Sequence, residues 1–105
     1  MIRHTVVFRL KHPADSPEEA DFLEAAQRLV SIPGVRNFQC LRQVSPKNDF
    51  AFGLSMEFQD AGAYAGYNEH PMHVEFVQTR WVPEVAEFLE IDYTPYQRLA
   101  TGGDS

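Results

Sequence analysis

Residues 50–59 read Phe-Ala-Phe-Gly-Leu-Ser-Met-Glu-Phe-Gln, a run whose period decides the fold. Phe50, Phe52, Leu54, Met56 and Phe58 share one face, and Ala51, Gly53, Ser55, Glu57 and Gln59 share the other. Strict alternation over this length predicts a β-strand with one bulky face turned to a core. Gly53 and Ser55 keep the second face small, so its centre too is shaped to be approached closely. Just upstream, Ser-Pro-Lys-Asn-Asp (45–49) is a turn, and Val35 to Val44 reads as a strand with polar residues on both faces. The two strands form an expected antiparallel hairpin.

Further upstream, Ile2 to Leu10 alternates again, with Ile2, His4, Val6, Phe8 and Leu10 on the more apolar side. Ser16-Pro17-Glu18-Glu19 is a helix start: Ser16 caps, Pro17 suits the first position and Glu19 closes a capping box. Phe22, Ala26 and Leu29 follow at helical spacing, and Ile32-Pro33-Gly34 ends the helix. Downstream, Asp60 caps a short helix carrying Tyr64 and Tyr67, and Pro71 opens another with Val74, Val77 and Trp81 on one stripe. Pro83 breaks or kinks that helix, and Leu89, Ile91 and Tyr93 alternate as a last strand. The order β-α-β-β-α-α-β predicts an α+β, ferredoxin-like split βαβ fold with a four-stranded antiparallel sheet and helices on one face. The uncovered face, carrying Val7, Ala51 and Gly53, predicts pairing with a second copy in a homodimer.

The chain has 105 residues, 44% hydrophobic and 23% charged, which bounds it to one globular domain. Residues 1–95 form the expected domain, and 96–105 lose periodicity and read as a mobile tail. A net charge of -6 with nine scattered Lys and Arg argues against nucleic acid. The alternating N-terminal stretch is neither a signal peptide nor a membrane span, and Cys40 is the single cysteine. A cytoplasmic protein without membrane association is the expectation.

Residues 67–76, Tyr-Asn-Glu-His-Pro-Met-His-Val-Glu-Phe, carry the chemistry. His70 precedes Pro71 and reads as a helix-start residue bonded to nearby backbone. His73 falls at the border of the apolar stripe, where an imidazole needs a partner. It reads either as a satisfied core histidine or as a general base. Two histidines three apart can hold a metal on a helix, but His70 lies at or outside the helix start, so no metal site is expected. Arg80 and Glu84 read as solvated.

The segments IRHTVVFRLK (2–11), PGV (33–35), YNEHPMHVEF (67–76) and IDY (91–93) together resemble the stress-responsive A/B-barrel (Dabb) family, over residues 2–95. The resemblance implies a dimeric α/β barrel of two ferredoxin-like sheets. It also implies cofactor-free chemistry in at least one plant member, olivetolic acid cyclase, which closes a polyketide by aldol chemistry. That enzyme's catalytic tyrosine and histidine match Tyr67 and His73, and its first-strand histidine matches His4. Asn68 and Glu69 are polar and acidic departures at the pocket edge. The implied site is a cavity between sheet and helices, with Tyr67 and His73 catalytic and His4, Val6, Phe8, Phe22 and Trp81 on the ligand. Two functions stay open: a cofactor-independent acid/base enzyme on a carbonyl or polyketide-like compound, and a stable stress-response or binding module without chemistry.

Overall fold

The computed structural model describes residues 1–96, and all of the expected 96–105 tail beyond Tyr96 lies outside the described residues. The elements are β1 (Ile2–Leu10), α1 (Pro17–Gln27), β2 (Arg36–Arg42), β3 (Phe52–Phe58), α2 (Ala61–Glu69), α3 (Pro71–Phe76) and β4 (Val85–Tyr93). A 3-10 turn, Arg28–Ser31, follows α1. A π turn, Val77–Trp81, and one short helical turn, Val82–Glu84, continue α3 to β4. The sheet order is β2-β3-β1-β4 with every pairing antiparallel, the ferredoxin-like topology. The sheet is open, with β2 and β4 as its edges.

The helix starts follow the sequence signals. Ser16 accepts the Glu19 amide at 3.2 Å, and Asp60 accepts the Ala63 amide at 2.9 Å. The Glu19 carboxylate reaches one residue further back than a capping box requires, taking the Asp15 amide at 3.1 Å. The Ser16 amide instead donates to the Pro13 carbonyl at 3.3 Å. Gly34 turns the chain into β2 at φ 92°, a left-handed conformation that side chains resist. The mixed polarity of β2 has a local cause. Its register shifts between Arg36 and Gln39, with Asn37 at φ 49°, so the strand changes the faces it presents across this bulge.

Register divides the sheet into two unlike faces. His4 pairs with Met56 and Asp92, Val6 with Leu54 and Glu90, and Phe8 with Phe52 and Phe88, all facing the helices. Phe8, Phe22 and Phe58 are fully buried there. Phe22 meets Phe8 at a ring separation of 5.8 Å and Phe76 at 5.5 Å. The opposite face presents Thr5, Val7, Gly53 and Ser55 from the central strands. Leu41, Leu89 and Ile91 extend it toward both edges and remain exposed.

Two expectations change. The inner stripe after Pro71 is His73, Phe76, Val77 and Trp81, while Val74 is 39% exposed. Capping at His70 sets this face, and the wider π turn then brings Trp81 round to it. Arg80 and Glu84 are not free in solvent. Arg80 bridges Asp21 on α1 at 2.7 Å and Glu84 at 2.5 Å, and His12 meets Glu84 at 2.7 Å. This network ties α1 to the segment entering β4. Partial burial pushes the Glu84 carboxyl upward, but its bonds from Arg80 and His12 outweigh that and hold it below the usual range.

Candidate functional site

Between the inner sheet face and the α2–α3 layer lies a cavity of about 340 Å³. Val6, Leu54, Met56, Phe76, Trp81 and Phe88 build its apolar wall. His4, Tyr67, Asn68, His73 and Glu90 supply its polar groups. A volume in the range of ordinary ligand pockets, mostly apolar with a few convergent polar groups, has the composition of a binding site. A depression of about 420 Å³ at Met1, Arg3 and Tyr93–Pro95 is larger, but it has no such convergence and adjoins the open sheet face.

Of the residues expected on a ligand, His4, Val6, Tyr67, His73 and Trp81 all line this cavity. Phe8 and Phe22 do not. They stand behind Trp81, at ring separations of 5.0 and 6.1 Å, and belong to the core. His70 spends its Nδ1 on the Met72 amide at 3.1 Å, capping α3.

Three polar side chains converge on the space. The Tyr67 ring lies 4.5 Å from that of His73 and 6.2 Å from that of His4. Tyr67 is 2% exposed, yet its hydroxyl has no hydrogen-bond partner among the described residues. No fully buried side-chain polar atom is left unpaired either, so the hydroxyl opens onto the cavity. Burial, and then the charge of Glu90, push the phenol well above its usual range. It therefore keeps its proton and can donate it in a hydrogen bond.

The Nδ1 of His73 lies 3.0 Å from the Asn68 carbonyl. A carbonyl only accepts, so Nδ1 carries the hydrogen and Nε2 of the neutral ring is an unshared base. Burial lowers the His73 pKa, opposed by the Asn68 carbonyl and reinforced by His4. The folded ring is thus neutral where a free histidine begins to charge. The unfolded chain takes up this proton first. Stability contributed by His73 is therefore complete above about pH 6.5 and is lost as pH falls through the lower folded value. A proton NMR titration of the four histidines should place the His73 midpoint below that of a free imidazole. A midpoint above it would contradict the burial described here.

His4 is held from behind. Asp92 Oδ1 takes its Nδ1–H at 2.6 Å, and the Tyr64 hydroxyl, 2.9 Å from the same nitrogen, donates to Asp92 Oδ2 at 2.8 Å. Nε2 then faces the cavity, 3.7 Å from Glu90 Oε2. Tyr64, Asp92 and Glu90 did not emerge from the sequence as site residues. For Glu90 and Asp92 the missing signal lay in β4. Its apolar residues Leu89 and Ile91 face outward, so the acidic residues that alternate with them, Glu90 and Asp92, face the helices. Among the described residues no group of three or more His, Cys, Asp or Glu is arranged to hold a metal ion.

Residues 2–95 match the family described as the Stress Responsive A/B Barrel Domain. A crystal structure of a Dabb family protein with a ferredoxin-like fold from Mesorhizobium loti is 60% identical. It superposes with a TM-score of 0.91 over 91% of this chain and 97% of that one. An Arabidopsis thaliana protein is 27% identical, with a TM-score of 0.79 over 94% of this chain and 99% of that one. The hydroxynitrile lyase of Passiflora edulis is 15% identical, covers 93% and 95% of the two chains, and shares the fold with a TM-score of 0.81. Several further proteins of this fold, at 17 to 18% identity, are described as dimeric. No protein of curated function matches the chain.

Proposed function

The chain belongs to the stress responsive A/B barrel domain family, and on that premise we propose that it binds a small carbonyl or polyketide-like compound in the α2–α3 cavity and moves a proton on it without a cofactor. One observation carries this reading. The Tyr67 hydroxyl and the His73 Nε2, on rings 4.5 Å apart, both lack a hydrogen-bond partner among the described residues and both belong to the same cavity. A bound carbonyl oxygen accepts the Tyr67 hydrogen bond. The His73 Nε2 takes a proton from the adjacent carbon. The C–H bond breaks, an N–H bond forms, and the electron pair moves onto the carbonyl oxygen, where Tyr67 stabilises it. His4, fixed by Asp92 and Tyr64, presents its own Nε2 to orient the ligand. The same fold carries a lyase in Passiflora edulis, which is consistent with small-molecule chemistry on this scaffold.

The functional unit in this reading is a homodimer through the open sheet face; three proteins of the same fold are described as dimeric. A purely structural role for Tyr67 would have its hydroxyl brace the core, and here the hydroxyl has no such partner.

Trp81 lines the cavity and is the only tryptophan, so its fluorescence reports on ligand. An uncharged ketone should quench or shift it saturably. Tyr67→Phe should weaken that binding roughly fivefold to tenfold, the equivalent of one hydrogen bond of about 1 kcal/mol, with melting nearly unchanged. A large fall in melting temperature with no ketone response from the native protein would overturn the proposal.

A further inference from the structure

We propose that this cavity selects uncharged carbonyl compounds and rejects carboxylates and phosphates, and that Glu90 sets the preference. The inference rests on the reading of the cavity as a ligand site and names the class of ligand it takes. Glu90 lies on the helix-facing side of β4, pairing with Val6 in register, and its half-exposed side chain stands where the cavity meets solvent. Its carboxylate is 3.7 Å from His4 Nε2, and the Asp92 carboxylate lies directly behind the same ring. Against these two negative groups the lining contributes no lysine or arginine.

Three of the arginines are committed elsewhere. Arg3 pairs with Glu57 and Arg9 with Glu87. Arg80 is held by Asp21 and Glu84. The usual alternative, backbone amides at a helix start, is in part used already. Asp60 takes the Ala63 amide at the start of α2, and His70 takes the Met72 amide at the start of α3. His73 is held neutral by burial, so it offers no compensating charge near neutrality. Were His4 to carry a proton, Glu90 and Asp92 would still outnumber it. An anion would therefore enter a low-dielectric space lined by like charge, whereas a neutral carbonyl meets an apolar wall, one donor and one base.

The test uses the full chain, with acetophenone and its para-carboxylate as a matched pair and Trp81 fluorescence as the readout. Acetophenone should bind at least about tenfold more tightly than the carboxylate. In Glu90→Gln, which preserves shape and removes the charge, that ratio should fall to roughly threefold or less. Circular-dichroism melting verifies that the variant is folded. A native protein that binds both compounds equally, or a folded Glu90→Gln variant whose ratio is unchanged, would overturn the assignment while leaving the ligand site standing. If neither compound binds, the cavity is not a carbonyl site and both readings fall.

Discussion

Glutamate in place of Leu89 or Ile91 is expected to abolish the proposed homodimer and leave a monomer. Both side chains point away from the helices, on the face that also presents Val7, Gly53 and Leu41. Leu89 is 50% exposed and Ile91 41% exposed in the single chain, so neither change removes much burial within it. Gly53 leaves the centre of this face without a side chain, although a Cβ there would meet only ordinary contacts, at 3.6 Å from the Val6 carbonyl oxygen. A second sheet can therefore approach closely over this centre. Burying a leucine or isoleucine contributes about 1.5–3 kcal/mol, which alone weakens association roughly tenfold to a hundredfold per protomer. A desolvated carboxylate adds to that loss. Sedimentation equilibrium at micromolar concentration should give a dimer for the native chain and a folded monomer for either variant. A native monomer would remove the open face as an interface.

Phe22→Ala carries the largest expected cost to stability. The ring is fully buried, meets Phe8, Phe76 and Trp81, and lies 6.0 Å beneath the Arg80 guanidinium. Deleting a buried phenylalanine costs about 3–5 kcal/mol, because transfer energy and cavity energy add. In a domain of this size that lowers the melting temperature by on the order of 15–30 °C. The comparison should be made at one protein concentration, since the proposed association of two copies would add to apparent stability. A loss below about 1 kcal/mol, with weakened ligand binding instead, would return Phe22 to the cavity wall.

The contrast between Phe22 and Glu90 shows how far the sequence could be read. Alternation in 50–59 and 2–10, the Ser16 and Asp60 caps, and Pro-Gly at 33–34 each specify local geometry through a short-range rule, and the fold follows from them. Tyr67, His73 and His4 came together because a residue pattern marked them and the sheet register brought them to one space. Phe8 and Phe22 were harder to separate from the cavity, because an apolar side chain on an inner face looks the same in sequence whether it fills the core or lines a void. Glu90 and Asp92 were hidden for the opposite reason. On β4 the apolar side faces outward, so the usual rule of burying the hydrophobic side assigns the acidic residues to solvent. The bulge at Arg36–Gln39 and the π turn at Val77–Trp81 also change which faces residues occupy, and neither has a residue signature as plain as a helix cap.

Whether Tyr67 and His73 act on a bound carbonyl is tested most directly by deuterium exchange. In heavy water near neutral pH, the methyl protons of acetophenone exchange only when a base removes them, and the proton NMR signal follows the loss. The native protein should accelerate this exchange saturably. His73→Gln should slow the protein-dependent rate by on the order of a hundredfold, the lower end of what a positioned base contributes. If acetophenone saturates the Trp81 signal while its methyl protons exchange no faster than in buffer, the cavity binds such compounds without acting on them, and the proposed acid/base role is wrong.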